Sequence, residues 1–217
     1  MRSTKGYRYI FIYFMIPVFM LAQEKNTTQV EQEVTTVKVP QIEDEEEVVE
    51  LDLKPGDEAP KFTLKTTTGG YELLGRWCGE KLSRPASQPT RHVVVVSFFA
   101  TWCKPCMKEL PHLQNLYEKY EGKDIKFFLI DITEATRTVE GNENSPEAGP
   151  FLKKKGITIP VLLDVYGIAK KEYGVVFLPR LFVIDKYRKI RLVKKGFQEE
   201  EKFEEELSSV INNLLAE

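Results

Sequence analysis

The stretch HVVVVSFFATWCKPCMKELP, residues 92–111, limits what this chain can become more than any other. Its first half is an unbroken β-branched and aromatic run, the composition of a strand covered on both faces of a sheet. After it, Leu113, Leu116, Tyr117 and Tyr120 recur at i, i+3, i+4 and i+7, so a helix packs its apolar face on that sheet. Two cysteines, Cys103 and Cys106, stand where strand gives way to helix. They are a disulfide staple, half of a metal site, or a reagent.

The remaining segments extend the same architecture. PGDEAPKFTL enters the folded part with a short strand from Phe62 to Leu64, and TTTGGYELL adds a turn at Gly69 and Gly70 with a second strand. GRWCGEKLSRPASQPTR, mixing Gly, Pro, Ser and charge without a period, reads as a surface loop. IKFFLIDI (125–132) is another buried strand, EAGPFLKKKG a short helix ending at Gly156, ITIPVLLD extended, and YGIAKKEYG helical. RLFVID and KIRLVKKGF form adjacent strands joined by a turn at Lys186 to Arg188. Phe203, Leu207, Val210, Ile211 and Leu214 make the inner face of a last helix. Strands alternating with helices, then a hairpin and a helix, specify an α/β class with a central mixed β-sheet flanked by helices.

At 217 residues and 42% hydrophobic, the chain can bury a full core, and a net charge of −2 gives no general attraction to nucleic acid. Residues 1–22 have the basic start, apolar middle and small residue (Ala22) of a signal peptide. A membrane anchor is the other reading, although the apolar run is shorter than the roughly 20 residues a spanning helix needs and contains Pro17. Residues 23–52, culminating in EDEEEVVE, are too polar and acidic to offset the entropy of ordering and read as a linker; 53–217 is the folded domain. The expected location is outside the cell membrane, in the periplasm or on its outer face.

An exported protein meets oxidising conditions, yet three cysteines (Cys78, Cys103, Cys106) cannot all pair within one chain, and a domain of this size needs no staple. A reagent is then the better reading of Cys103 and Cys106. The unpaired N–H groups and positive dipole end of a helix N-terminus favour a thiolate at Cys103. Lys104 adds positive charge, and Pro105 fits the first helical turn. Cys103 is accordingly the attacking sulfur. Cys106, almost a turn further in, resolves the mixed disulfide. Glu109, three residues on, shares that helix surface and, if partly buried, would exchange a proton with Cys106 from a raised pKa. Trp102 covers the site's edge or is a plain core aromatic. Pro111 should interrupt the helix ladder and bend it.

FFATWCKPCMKELP resembles the W-C-x-x-C site of thioredoxin-like proteins, and its glutamate and LP after the second cysteine are similar to the exported TlpA/ResA branch of thiol-disulfide oxidoreductases. The resemblance covers roughly residues 53–217, including PGDEAPKFTL and GITIPVLLDVYGIAKKEYGVVFLPRLFVIDKYRKI. It implies a thioredoxin-like fold with an N-terminal strand extension, no cofactor and no metal. It also implies a cis peptide bond before Pro179 opposite the dithiol, with the Leu178 backbone free to pair with a substrate strand. The partners implied are thiols and disulfides of exported proteins, cytochrome c maturation among them, with a membrane-bound electron donor and an N-terminal membrane tether; reduction is the favoured direction. Two features depart from the pattern. Ser97 occupies the position of thioredoxin's buried acid, which passes any proton relay to Glu109. The loops carrying Cys78 and TEATRTVEGNENSPEAGP are long and could shape partner choice.

Two other functions compete. A peroxide reductase on the related peroxiredoxin scaffold would want threonine and proline where Ala100 and Val96 stand. A copper carrier would use both sulfurs with His112 or His92, a thin ligand set. Cys78 is a buried free thiol or a third redox cysteine.

Overall fold

The computed structural model describes residues 51–199 and 202–217. The leader and the acidic linker up to residue 50 lie outside the described residues. Among the described residues, β1 (Thr63–Thr66), β2 (Tyr71–Leu73), β3 (Val93–Phe99), β4 (Ile125–Asp131), β5 (Val161–Leu163), β6 (Arg180–Ile184) and β7 (Ile190–Lys195) form one sheet in the order β2-β1-β5-β4-β3-β6-β7. Helices α1 (Lys104–Lys119), α2 (Ala148–Lys154), α3 (Ile168–Glu172) and α4 (Phe203–Ala216) connect and cover it. No described helix is long and apolar enough to cross a membrane.

The valine-rich run becomes the interior strand its composition demands. β3 is parallel to β4 on one side and antiparallel to β6 on the other, and all seven of its residues are buried. Alternation along the strand sends its side chains to opposite faces. Phe98 meets Tyr173 and Phe182, with ring centroids 5.2 and 6.1 Å away. Ser97 points the other way, to α1. That face is closed by α1 and α4, which are tied by the Tyr120 hydroxyl donating to Ser208 O and Asn212 Oδ1. Burying aromatic and aliphatic side chains of this size contributes about 1.5–3 kcal/mol each, so the two apolar faces of β3 fix which residue confronts which helix.

Two expectations need correction. The strand over Phe62 to Leu64 is shifted to Thr63–Thr66, and that of RLFVID ends at Ile184, one residue before Asp185. Pro111 lies on the exposed side of α1, which runs as one element from Lys104 to Lys119. The stretch from Gly75 to Arg91 is not wholly a surface loop. A 3-10 turn at Leu74–Arg76 carries Cys78 into the core, and the Trp77 indole donates to Glu72 while stacking edge-on to His92.

The first described residues brace the segment that leads to Pro179. Gly174 adopts φ +58°, and the Leu51 carbonyl fills the space a Cβ would need there. Next to it the Asp52 carboxylate accepts from Lys195 at 2.7 Å and from buried Arg180 at 3.0 Å, and these bonds, Lys195's first, hold its carboxyl below the usual range.

Candidate active site

Cys103 is the N-cap of α1. Its φ of −78° and ψ of 104° are extended, and its sulfur accepts from the Cys106 N–H at 3.2 Å, taking one of the donors a helix start leaves unpaired. Lys104 and Pro105 fill the first two helical positions, where a proline's missing N–H removes no helix bond. The two sulfurs are joined in a disulfide, with Cα atoms 5.3 Å apart. Both are buried, Cys103 at 3% exposure and Cys106 at 0%, but only Cys103 lines the adjoining cleft. Approach from solvent therefore reaches Cys103 first.

That cleft, about 520 Å³, runs between the start of α1, the loop after β4 and the segment before β6. The Leu178–Pro179 bond is cis, and Leu178 lines the cleft beside Cys103. Neither the N–H nor the C=O of Leu178 has a hydrogen-bond partner among the described residues, whereas the Pro179 carbonyl is taken by the Gly196 N–H at 2.8 Å. Trp102 stands at the edge of the cleft, partly exposed, and its indole N–H donates to Thr136 Oγ1 at 3.0 Å.

A polar chain secures the residues before Cys103. The Thr101 N–H donates to Thr133 Oγ1 at 3.0 Å and the Thr101 hydroxyl to Pro146 O at 2.9 Å, while the Thr133 N–H and hydroxyl both donate to Asp131. Burial pushes the Asp131 carboxyl up, and the two Thr133 bonds pull it back. Arg137 pairs with Glu134 and donates to the carbonyls of Glu143 and Ser145, folding residues 134–145 into a closed loop against the cleft. The long segment singled out in the sequence is thus wired to Thr101 and Trp102.

Behind the sulfurs, Glu109 is 1% exposed and accepts from the Ser97 hydroxyl at 2.8 Å. Cys106 and Glu109 share one face of α1 at i, i+3. Sequence reasoning marked Glu109 and read Ser97 only as a missing acid; the strand serine is instead the partner of the helix acid. The pattern signalled only that Ser97 needs a partner, not which one. A lone hydroxyl in an otherwise apolar interior run is costly to bury unless it is bonded.

The histidines lie elsewhere. His112 binds Glu204 of α4 at 2.7 Å, and His92 lies against Thr90 O and Gln88. Among the described residues no group of three metal-ligating side chains is placed to hold an ion.

Cys78 is a buried free thiol whose removal from water pushes its pKa up to about 12. At pH 8 its thiolate fraction is then on the order of one part in 10⁴. In the folded, reduced protein iodoacetamide should modify Cys103, leave Cys78 unlabelled by peptide mass mapping, and reach it only after denaturation. Labelling of Cys78 at a rate comparable to Cys103 would show a third redox sulfur.

Comparison with known proteins agrees with this geometry. The AhpC/TSA family matches residues 55–193. Thiol-disulfide oxidoreductase ResA of Bacillus thuringiensis subsp. konkukian is 33% identical over 155 residues, which is 71% of this chain and 78% of that protein. The ResA of Geobacillus thermodenitrificans is 28% identical over a stretch of the same length, 77% of its own chain. Among solved structures, a putative thiol:disulfide interchange protein DsbE from Chlorobium tepidum superposes with a TM-score of 0.59 at 27% identity, over 76% of this chain and 99% of that one.

Proposed function

This chain belongs to the AhpC/TSA family and to its thiol-disulfide oxidoreductases, and from that premise we propose that it reduces disulfides of exported proteins through Cys103 and Cys106. One observation carries the reading: of two bonded sulfurs at the start of α1, one lines a cleft and the other lies behind it. In the reduced protein the Cys103 thiolate, favoured by the helix N-terminus and Lys104, attacks one sulfur of a substrate disulfide and expels the other as a thiolate. The Cys106 thiolate then attacks Cys103, closes the internal disulfide and releases the second substrate sulfur. Two electrons pass from the dithiol to the substrate, whose sulfurs take up two protons. Glu109, steadied by Ser97, receives the proton of Cys106 as that thiol becomes a nucleophile. The unpaired Leu178 N–H and C=O beside the cis bond pair with the backbone of the substrate segment, and Trp102 covers the edge.

Peptides bearing haem-attachment cysteines are one substrate that suits such a reductant, and a membrane-bound donor would regenerate the dithiol. The N-terminal leader, whether cleaved or kept as a tether, would place the domain outside the membrane. The peroxide-reducing reading would need threonine and proline where apolar, wholly buried Ala100 and Val96 stand.

The reduction potential of the Cys103/Cys106 couple tests the direction. Equilibration of the full chain with glutathione or dithiothreitol buffers should give a value nearer thioredoxin's roughly −270 mV than the roughly −120 mV of a strong oxidant. A value at the oxidising end would reverse the assigned electron flow.

A further inference from the structure

We propose that the cleft beside Cys103 selects extended, cysteine-bearing segments that carry a bulky apolar side chain and an acidic one next to the cysteine. The inference rests on the disulfide exchange assigned above and names its substrate class. Lys104 and Lys170 line the cleft, and no carboxylate lines it. Lys170 is half-buried on α3, yet neither lysine has an ion-pair partner among the described residues. The neighbouring acids are occupied: Asp164 accepts from the backbone N–H of Lys170 at 2.7 Å, and Glu134 is held by Arg137. Glu172 lines a separate groove. An incoming carboxylate would meet half-buried Lys170, where charge interactions are less screened than on open surface, and exposed Lys104 at the rim.

The apolar half of the preference comes from the same walls. Phe177 is 68% exposed and Val176 59%, immediately before Leu178, while Val139 of the 134–145 loop is 55% exposed. Large apolar side chains gathered at one cleft mark a contact surface. Their place beside Leu178 puts them against residues neighbouring the substrate cysteine in an extended chain.

The full chain, reduced and freed of reductant, is mixed with peptide disulfide dimers in which the cysteine is preceded by Phe and followed by Glu, Gln or Lys. Each single-turnover rate is divided by the peptide's rate with free dithiothreitol, which removes the neighbour's own effect on the sulfur. Two partly screened ion pairs should favour the Glu peptide over the Lys peptide about tenfold at low salt. The gap should close at about 1 M NaCl, where the Debye length falls to about 3 Å. Lys170→Glu should abolish or invert the ratio; Lys170→Gln, which adds no charge, should reduce it and guards against misfolding of the first variant. Equal rates for Glu and Lys peptides, or a ratio unchanged in both variants, would overturn the proposal. Hydroxyethyl disulfide, small and uncharged, separates the two levels: its reduction alongside equal peptide rates overturns the selectivity and leaves the oxidoreductase reading standing, whereas no exchange with any disulfide removes the oxidoreductase reading as well.

Discussion

Cys106→Ser should accumulate as a covalent complex with its substrate, and Cys103→Ser should form none. The asymmetry follows from access. Cys103 lines the cleft and Cys106 lies behind it, so an incoming disulfide meets the Cys103 sulfur and captures it. With serine at 106 no second thiolate can break the mixed disulfide, and turnover falls on the order of 10³-fold or more, as expected when a group acting in concert with its neighbour is removed. Non-reducing electrophoresis and intact mass should show one substrate sulfur per chain, released by dithiothreitol. The Cys103→Ser variant should lose turnover to the same extent and yield no adduct. Complexes formed through Cys106 in that variant would reverse the order of attack and, with it, the meaning of the cleft.

How much of this was legible depended on how local each feature is. β3 and α1 were readable because an apolar run and a 3.6-residue period are properties of neighbouring residues. The position of Cys103 as N-cap followed directly from that boundary. Glu109 was reachable for the same reason, being three residues from Cys106 along one helix. The Ser97–Glu109 bond was not, since it joins a strand face to a helix face and exists only once α1 lies on β3 in one register. Trp102 with Thr136 and Asp52 with Arg180 are further pairings across long sequence separation, and nothing in the composition of either partner announces the other. Cys78 was obscured differently. Its glycine-, proline- and charge-rich surroundings describe the later part of that loop, while its first turn is driven inward by the apolar neighbours of Leu74. The cis bond at Pro179 came through family resemblance alone, since proline in a loop has many other uses.

Glu109→Gln should slow resolution of the mixed disulfide about 10²-fold and flatten its pH profile, with capture by Cys103 left nearly unchanged. Cys106 has 0% exposure, so its proton has no ready route to bulk water, and buried Glu109 lies three residues on along the same helix face. Loss of a positioned acid–base group typically costs about 10²–10⁴-fold. A base works only when deprotonated, so the wild-type resolving rate should rise with pH through the titration of this carboxylate; glutamine, which does not titrate, removes that limb. Ser97→Ala separates chemistry from packing. It takes away the hydroxyl that donates to Glu109 Oε2 at 2.8 Å while keeping the carboxylate. A carboxylate that loses a donor holds its proton more tightly, which moves the limb to higher pH without abolishing it. The same change should lower stability by about 1–3 kcal/mol, the usual effect of removing a partner from a buried charged group. Stopped-flow traces of capture and release at a series of pH values distinguish the steps. If Glu109→Gln slowed capture and release equally, or kept the wild-type limb, the acid would be a packing element of α1 and the proton of Cys106 would leave by another path.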